Sequence, residues 1–128
     1  MLMYKQTLRF TNSEHIVITG LTSENSQKVH ILINACHNVK MHGVKLMADG
    51  NSPNTDGIHV QFSTDVTILA PRIRTGDDCI SVGPGCRNLW IEDVACGPGH
   101  GIMFLFKFFY EFCKRKMIML SLYIYIYI

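Results

Sequence analysis

Four short runs in this chain share one design. His15-Ile16-Val17-Ile18, Asn38-Val39-Lys40-Met41, Asp65-Val66-Thr67-Ile68 and Asn88-Leu89-Trp90-Ile91 each open on a polar residue and place apolar residues second and fourth. Apolar residues at period two bury one face of a strand. The near-even spacing of His15, Asn38, Asp65 and Asn88 is what a coiling solenoid requires and a set of hairpins does not. Val29 to Ile33, Gly57 to Val60 and Cys79 to Val82 supply further strands, so each period holds two or three, joined by Gly, Asn and Ser turns. No amphipathic helix is available for βαβ crossovers. The expected fold is all-β, a parallel β-helix with one coil per repeat. Strands stack at about 4.8 Å per rung, so residues one period apart become neighbours on one face.

Composition bounds the partners. A net charge of +2, with no run of like charges that marks an acidic or basic tail, argues against nucleic acid, and a monomer is expected. The opening Met1 to Phe10 has no continuous apolar stretch or small-residue cleavage site, so it reads as lacking a signal peptide. Five cysteines in a short chain point to an oxidising compartment, and the odd count leaves at least one outside any intrachain pair. Texture changes after Ile102: residues 1–102 read as a partial β-helix, and 103–128 as an aberrant hydrophobic tail ending in three Tyr-Ile pairs. Alternating T/A codons produce such pairs, so the tail is expected to be read-through of non-coding sequence. Lys107, Glu111, Lys114, Arg115 and Lys116 interrupt it, leaving no apolar run near the roughly 20 residues that span a bilayer.

The stacking rule locates the chemistry. Asp56, Asp78 and His100 recur at equal intervals of about one period, and Asp77 adjoins the middle one. Three successive coils therefore align them in a column, each flanked by glycine. Carboxylates gathered without an interposed cation raise one another's pKa, a cost that points to function. Inverting glycoside hydrolysis needs one carboxylic acid to protonate the leaving oxygen and another carboxylate to activate water, about 6.5–9.5 Å apart. Crowding separates such roles by keeping one group protonated while another ionises. In an ideal strand Asp77 and Asp78 point to opposite faces, so both serve one site only if the chain bends at Gly76.

Ser52-Pro53-Asn54-Thr55-Asp56-Gly57-Ile58, Gly76-Asp77-Asp78-Cys79 and Cys96-Gly97-Pro98-Gly99-His100-Gly101-Ile102 resemble three successive signatures of the polygalacturonases, glycoside hydrolase family 28. Ser81-Val82-Gly83-Pro84-Gly85 and Asn88-Leu89-Trp90-Ile91-Glu92 resemble plant members. The resemblance implies a right-handed solenoid, here incomplete at both ends, and inverting hydrolysis of α-1,4-linked galacturonic acid in pectin during cell-wall modification. It implies Asp77 as general acid, Asp56 and Asp78 as activators of water, and His100 as support for the acid. It also implies a Cys79–Cys96 disulfide, secretion to the cell wall and no cofactor. Asn54, His59 and Gly99 are candidates for substrate contact. The family's later Arg-x-Lys motif is missing, since Arg115 and Lys116 are adjacent in the tail. The alternative to an active enzyme is therefore an inactive truncated fragment that at most binds polyuronide.

These residue types also suit other roles. Carboxylate oxygens suit calcium, but no recognisable loop pattern surrounds Asp56, Asp77 and Asp78. The separation of Cys79 and Cys96 fits no standard zinc spacing, so no metal is expected. Trp90 is expected in the core or stacked between coils rather than as a sugar platform. His15, His30, His37, His42 and His59 are expected in solvent or turns, and of these only His59, on the strand after Asp56, could approach a sugar. Arg72 and Arg74 precede the acid motif, where they could meet a polyuronide or simply face solvent. Cys36, Cys86 and Cys113 have no assignable partner.

Overall fold

The computed structural model describes residues 8–49 and 55–104, so Asn54, Cys113 and nearly all of the hydrophobic tail lie outside the described residues. Among the described residues thirteen strands form three parallel sheets, and each full coil contributes one strand to each sheet. The first sheet contains β1 (Leu8–Thr11), β4 (Ile31–Asn34), β7 (Ile58–Gln61), β10 (Ile80–Val82) and β13 (Ile102–Phe104). The second contains β2 (Glu14–Thr19), β5 (His37–His42), β8 (Thr64–Leu69) and β11 (Arg87–Glu92). The third contains β3 (Thr22–Glu24), β6 (Lys45–Met47), β9 (Arg72–Arg74) and β12 (Ala95–Cys96). The result is a parallel β-solenoid of about four turns, and among the described residues there is no helix.

Each recurrent four-residue run lies within a strand of the second sheet. Its polar first residue is the corner at which the chain turns: His15, Asn38, Asp65 and Asn88 have φ of 57°, 56°, 57° and 54°. Left-handed backbone costs an L-residue about 1–2 kcal/mol, and Asn, Asp and His accept it most readily among non-glycines. Their side chains also stack, with Asn38 Nδ2 2.8 Å from His15 Nδ1 and Asn88 donating to Asp65. A second corner column, Asn12, Ala35, Phe62 and Gly85, and a third, Gly20, Gly43, Ala70 and Asp93, repeat the device.

Between corners, alternation fills the tube. Ile31, Ile58 and Ile80 stack in register with no exposed surface, as do Val39 on Val66 and Leu46 on Ile73, the last 1% exposed. Burying each such side chain contributes about 1.5–3 kcal/mol. Cys36 and Cys86 also line the core, with their Sγ atoms 3.3 Å from Asn34 O and 3.5 Å from Val60 O.

Of the two alternatives for His30, solvent or a turn, the turn holds: it stands at the bend before Ile31, yet it is 1% exposed, with Nδ1 2.9 Å from Ser23 Oγ. Burial lowers its pKa and keeps the ring neutral at pH 7. Trp90 alternates with the inward Leu89 and Ile91, so it lies half-buried on the outer face of β11 and donates its indole N–H to Glu92 at 2.8 Å.

Candidate active site

The described ends of the connections from the third sheet back to the first stack like the strands they join, with Ala48 N–H donating to Arg74 O at 2.7 Å and Thr75 N–H to Pro98 O at 3.1 Å. Gly57 N–H donates to Asp78 O at 2.9 Å, and Cys79 N–H donates to Gly101 O at 2.9 Å. These bonds hold Asp56, Asp78 and His100 on successive rungs.

The chain bends where the sequence needed it to. Gly76 and Asp77 form the bend between β9 and β10. Two donors converge on the Asp77 carbonyl, the buried Thr75 hydroxyl at 3.2 Å and the His100 N–H at 3.0 Å. One donor atom from each of Asp77, Asp78 and His100 consequently lies within 4.8 Å of the others. His100 Nδ1 is 3.2 Å from Asp77 Oδ1, with the two side chains 66% and 29% exposed. Asp77 thus faces the solvent side of the bend, whereas Asp78 is 9% exposed. Burial pushes the Asp78 carboxyl above the ordinary carboxylate range, the charges of Asp56 and Asp77 push it further, and His100 works against both. Among the described residues, Asp77, Asp78 and His100 lie close enough together to ligate a metal ion, an arrangement that exposed acidic groups often have without one.

Asp56 is tied to the same face by Ser81, whose hydroxyl donates to Asp56 Oδ2 at 2.9 Å. A carboxyl with a raised pKa therefore stands beside two further carboxyl groups, the kind of grouping that acid and base catalysis at a single bond requires.

Cys79 and Cys96 are joined, with S–S 1.98 Å and Cα–Cα 6.0 Å, fastening residues 75–79 to the following coil. Gly99 closes over this bond: a Cβ there would sit 2.8 Å from Cys79 Sγ and 3.2 Å from Asp77 O. Its smallness serves packing of the loop that presents His100. Arg74 lines an adjoining groove together with Glu24, Asp49 and Pro98, and the two acids there offset its charge towards a polyanion. Arg72 is exposed on the same strand.

The sequence model of glycosyl hydrolases family 28 matches residues 3–104. This chain belongs to that family. Among family relatives, a polygalacturonase of Prunus persica is 65% identical over 96 residues, 75% of this chain and 24% of its own length. An exopolygalacturonase of Platanus acerifolia is 50% identical over 95 residues, 74% of this chain and 25% of its own. A polygalacturonase of Medicago sativa is 46% identical over 86 residues, 67% of this chain and 20% of its own. The chain thus spans about a quarter or less of the length of these curated relatives.

Sequence reasoning missed Thr75 and Ser81. Ser81 was detectable: it follows His59 by the same interval that separates Asp56 from Asp78, and alternation turns it away from the core between Ile80 and Val82.

Proposed function

We propose that this chain carries the carboxylate centre of an inverting polygalacturonase acting on the α-1,4-galacturonosidic bonds of pectin in the cell wall. The convergence of Asp77, Asp78 and His100 within 4.8 Å, beside Asp56, carries the proposal. Asp77 is the general acid: it is accessible, and His100 steadies its carboxyl. Asp56 and Asp78 activate the water that attacks from the opposite face of the sugar. The Cys79–Cys96 bond suits an oxidising, extracellular setting. One observation favours a second assignment, because Asp78 is the carboxyl whose surroundings favour the protonated form. In that reading Asp78 is the acid and Asp77 joins Asp56 as base.

Reducing-end release from polygalacturonic acid by the purified 128-residue chain tests the proposal. Asp77→Asn should lower turnover by about 10²–10⁴-fold, the usual worth of a positioned acid. An aryl galacturonide, whose leaving group needs no proton, should still be cleaved by the variant lacking the acid and not by one lacking the base. Rescue of Asp78→Asn instead of Asp77→Asn would move the acid role to Asp78. A folded chain without hydrolysis would refute the catalytic proposal and leave polyuronide binding as the activity to measure.

A further inference from the structure

The outer face of the first sheet carries a chain of polar contacts that runs through three coils and ends on Asp56. Ser81 and His59 are register partners on β10 and β7. His59 Nδ1 is 2.6 Å from Ser81 Oγ, His59 Nε2 is 3.1 Å from Gln61 Oε1, and Gln61 Nε2 is 3.0 Å from Asn34 Oδ1. Ser81 is 1% exposed, so solvent does not supply its partners. Gly83 leaves room for the arrangement, since a Cβ there would lie 3.0 Å from Gln61 Cβ and 3.4 Å from His59 Nε2.

A serine hydroxyl has one proton to give. Ser81 gives it to Asp56 Oδ2 at 2.9 Å, so its oxygen must receive the bond from His59, which places a proton on Nδ1. In the neutral ring Nε2 is then an acceptor. Turning the Gln61 and Asn34 amides over together meets that need and preserves their mutual bond, because amide oxygen and nitrogen exchange places in a half-turn. A single direction of donation results, from Asn34 through Gln61, His59 and Ser81 to Asp56.

We propose that His59 is a positioning residue for Asp56: its Nδ1–H holds the Ser81 hydroxyl so that this hydroxyl points at the carboxylate. Both ring nitrogens are engaged in this role, so neither is spare for a sugar. The catalytic consequence rests on the hydrolase proposal above, whereas the coupling itself does not.

Nitrogen-15 spectra of the histidine rings of the 128-residue chain, recorded at about pH 8.5 where unperturbed imidazole is neutral, test the coupling directly. His59 should carry its proton on Nδ1 in the wild type. Ser81→Ala and Asp56→Ala should each release it towards a mixture of the Nδ1–H and Nε2–H forms, with circular dichroism reporting retained strands. An Nε2–H ring in the wild type, or a ring indifferent to both substitutions, overturns the proposal. Where the wild type hydrolyses polygalacturonate, His59→Leu should lower kcat about tenfold to a hundredfold with little change in KM, the scale of a misplaced catalytic group. His59→Asn, whose Nδ2–H stands where Nδ1–H stood, should recover most of that loss; equal rates in the two variants overturn the positioning role. A wild type that shows the coupling without turnover refutes the hydrolase assignment alone.

Discussion

Breaking the Cys79–Cys96 bond gives the most quantitative check on how the site is held. The cystines are 17 residues apart, and the chain-entropy relation for a loop of that size gives about 3 kcal/mol at room temperature. The sulfurs are also buried, at 0% and 6% exposure for their residues, so replacing both cysteines by alanine adds a packing loss. Each deleted buried group of this size costs on the order of 1 kcal/mol. Urea denaturation of the wild type, the wild type under reductant and Cys79→Ala/Cys96→Ala separates the two contributions. Reduction alone should remove about 3 kcal/mol, and the double substitution about 4–5 kcal/mol. For a chain of 128 residues each kilocalorie is worth roughly 4 °C in Tm, so the reduced protein should melt about 12 °C lower. A reduced protein within about 0.5 kcal/mol of the oxidised one, a margin of ordinary measurement scatter, would refute the argument that this bond fastens one coil to the next.

Gly57→Ala should destabilise by about 1–3 kcal/mol in the same assay, because its Cβ would lie 2.4 Å from the Cys79 carbonyl oxygen and 2.6 Å from Ile73 Cγ2; an unchanged midpoint would contradict that close approach. Ala70→Gly should stabilise by roughly 0.5–1 kcal/mol, since relief of its φ of 49° exceeds the added freedom of the unfolded glycine, and a lower midpoint would reject the corner assignment. Asp78 has a raised folded pKa, so the folded state keeps a proton that the unfolded chain releases, and this group's contribution is present at low pH and lost as pH rises through the folded pKa. Asp78→Asn should therefore stabilise the chain at neutral pH and bring less gain at pH 4, checked by melts across that range. His30 acts in the opposite sense: its lowered pKa makes the folded state refuse a proton the unfolded chain takes, so stability should fall below about pH 6.5. His30→Gln should lessen that fall in the same melts.

The solenoid was legible because its two strongest signals repeat. Apolar alternation marks what faces inward, and the polar opening of each run marks where the backbone turns left-handed. Asn38 and Asn88 satisfy both local preference and ladder position, which is why four short runs suffice to define the coil. Ala35, Phe62 and Ala70 occupy equivalent corners with no such preference, and no propensity argument finds them. The column of Asp56, Asp78 and His100 was legible from spacing alone. The turn that lets Asp77 share their face was not, because it depends on Thr75 and on a backbone bond from a coil further along the chain. His30 was legible as a turn residue but its burial was not, because a histidine beside an apolar run offers no local sign of which side of the tube its ring will occupy.

The coils differ in length without losing register. The stretch from Ile31 to Ile58 is longer than that from Ile58 to Ile80, yet Ile58 is the register partner of both. All of the difference lies between β6 and β7, whose connection covers residues 48–57 against 75–79 for the next coil. That connection carries Asp56 on its final turn. Added length there shifts no rung of the interior, so the length of a connection and the register of the tube can change independently. A lineage built on such stacking can try new cleft walls while its core stays fixed.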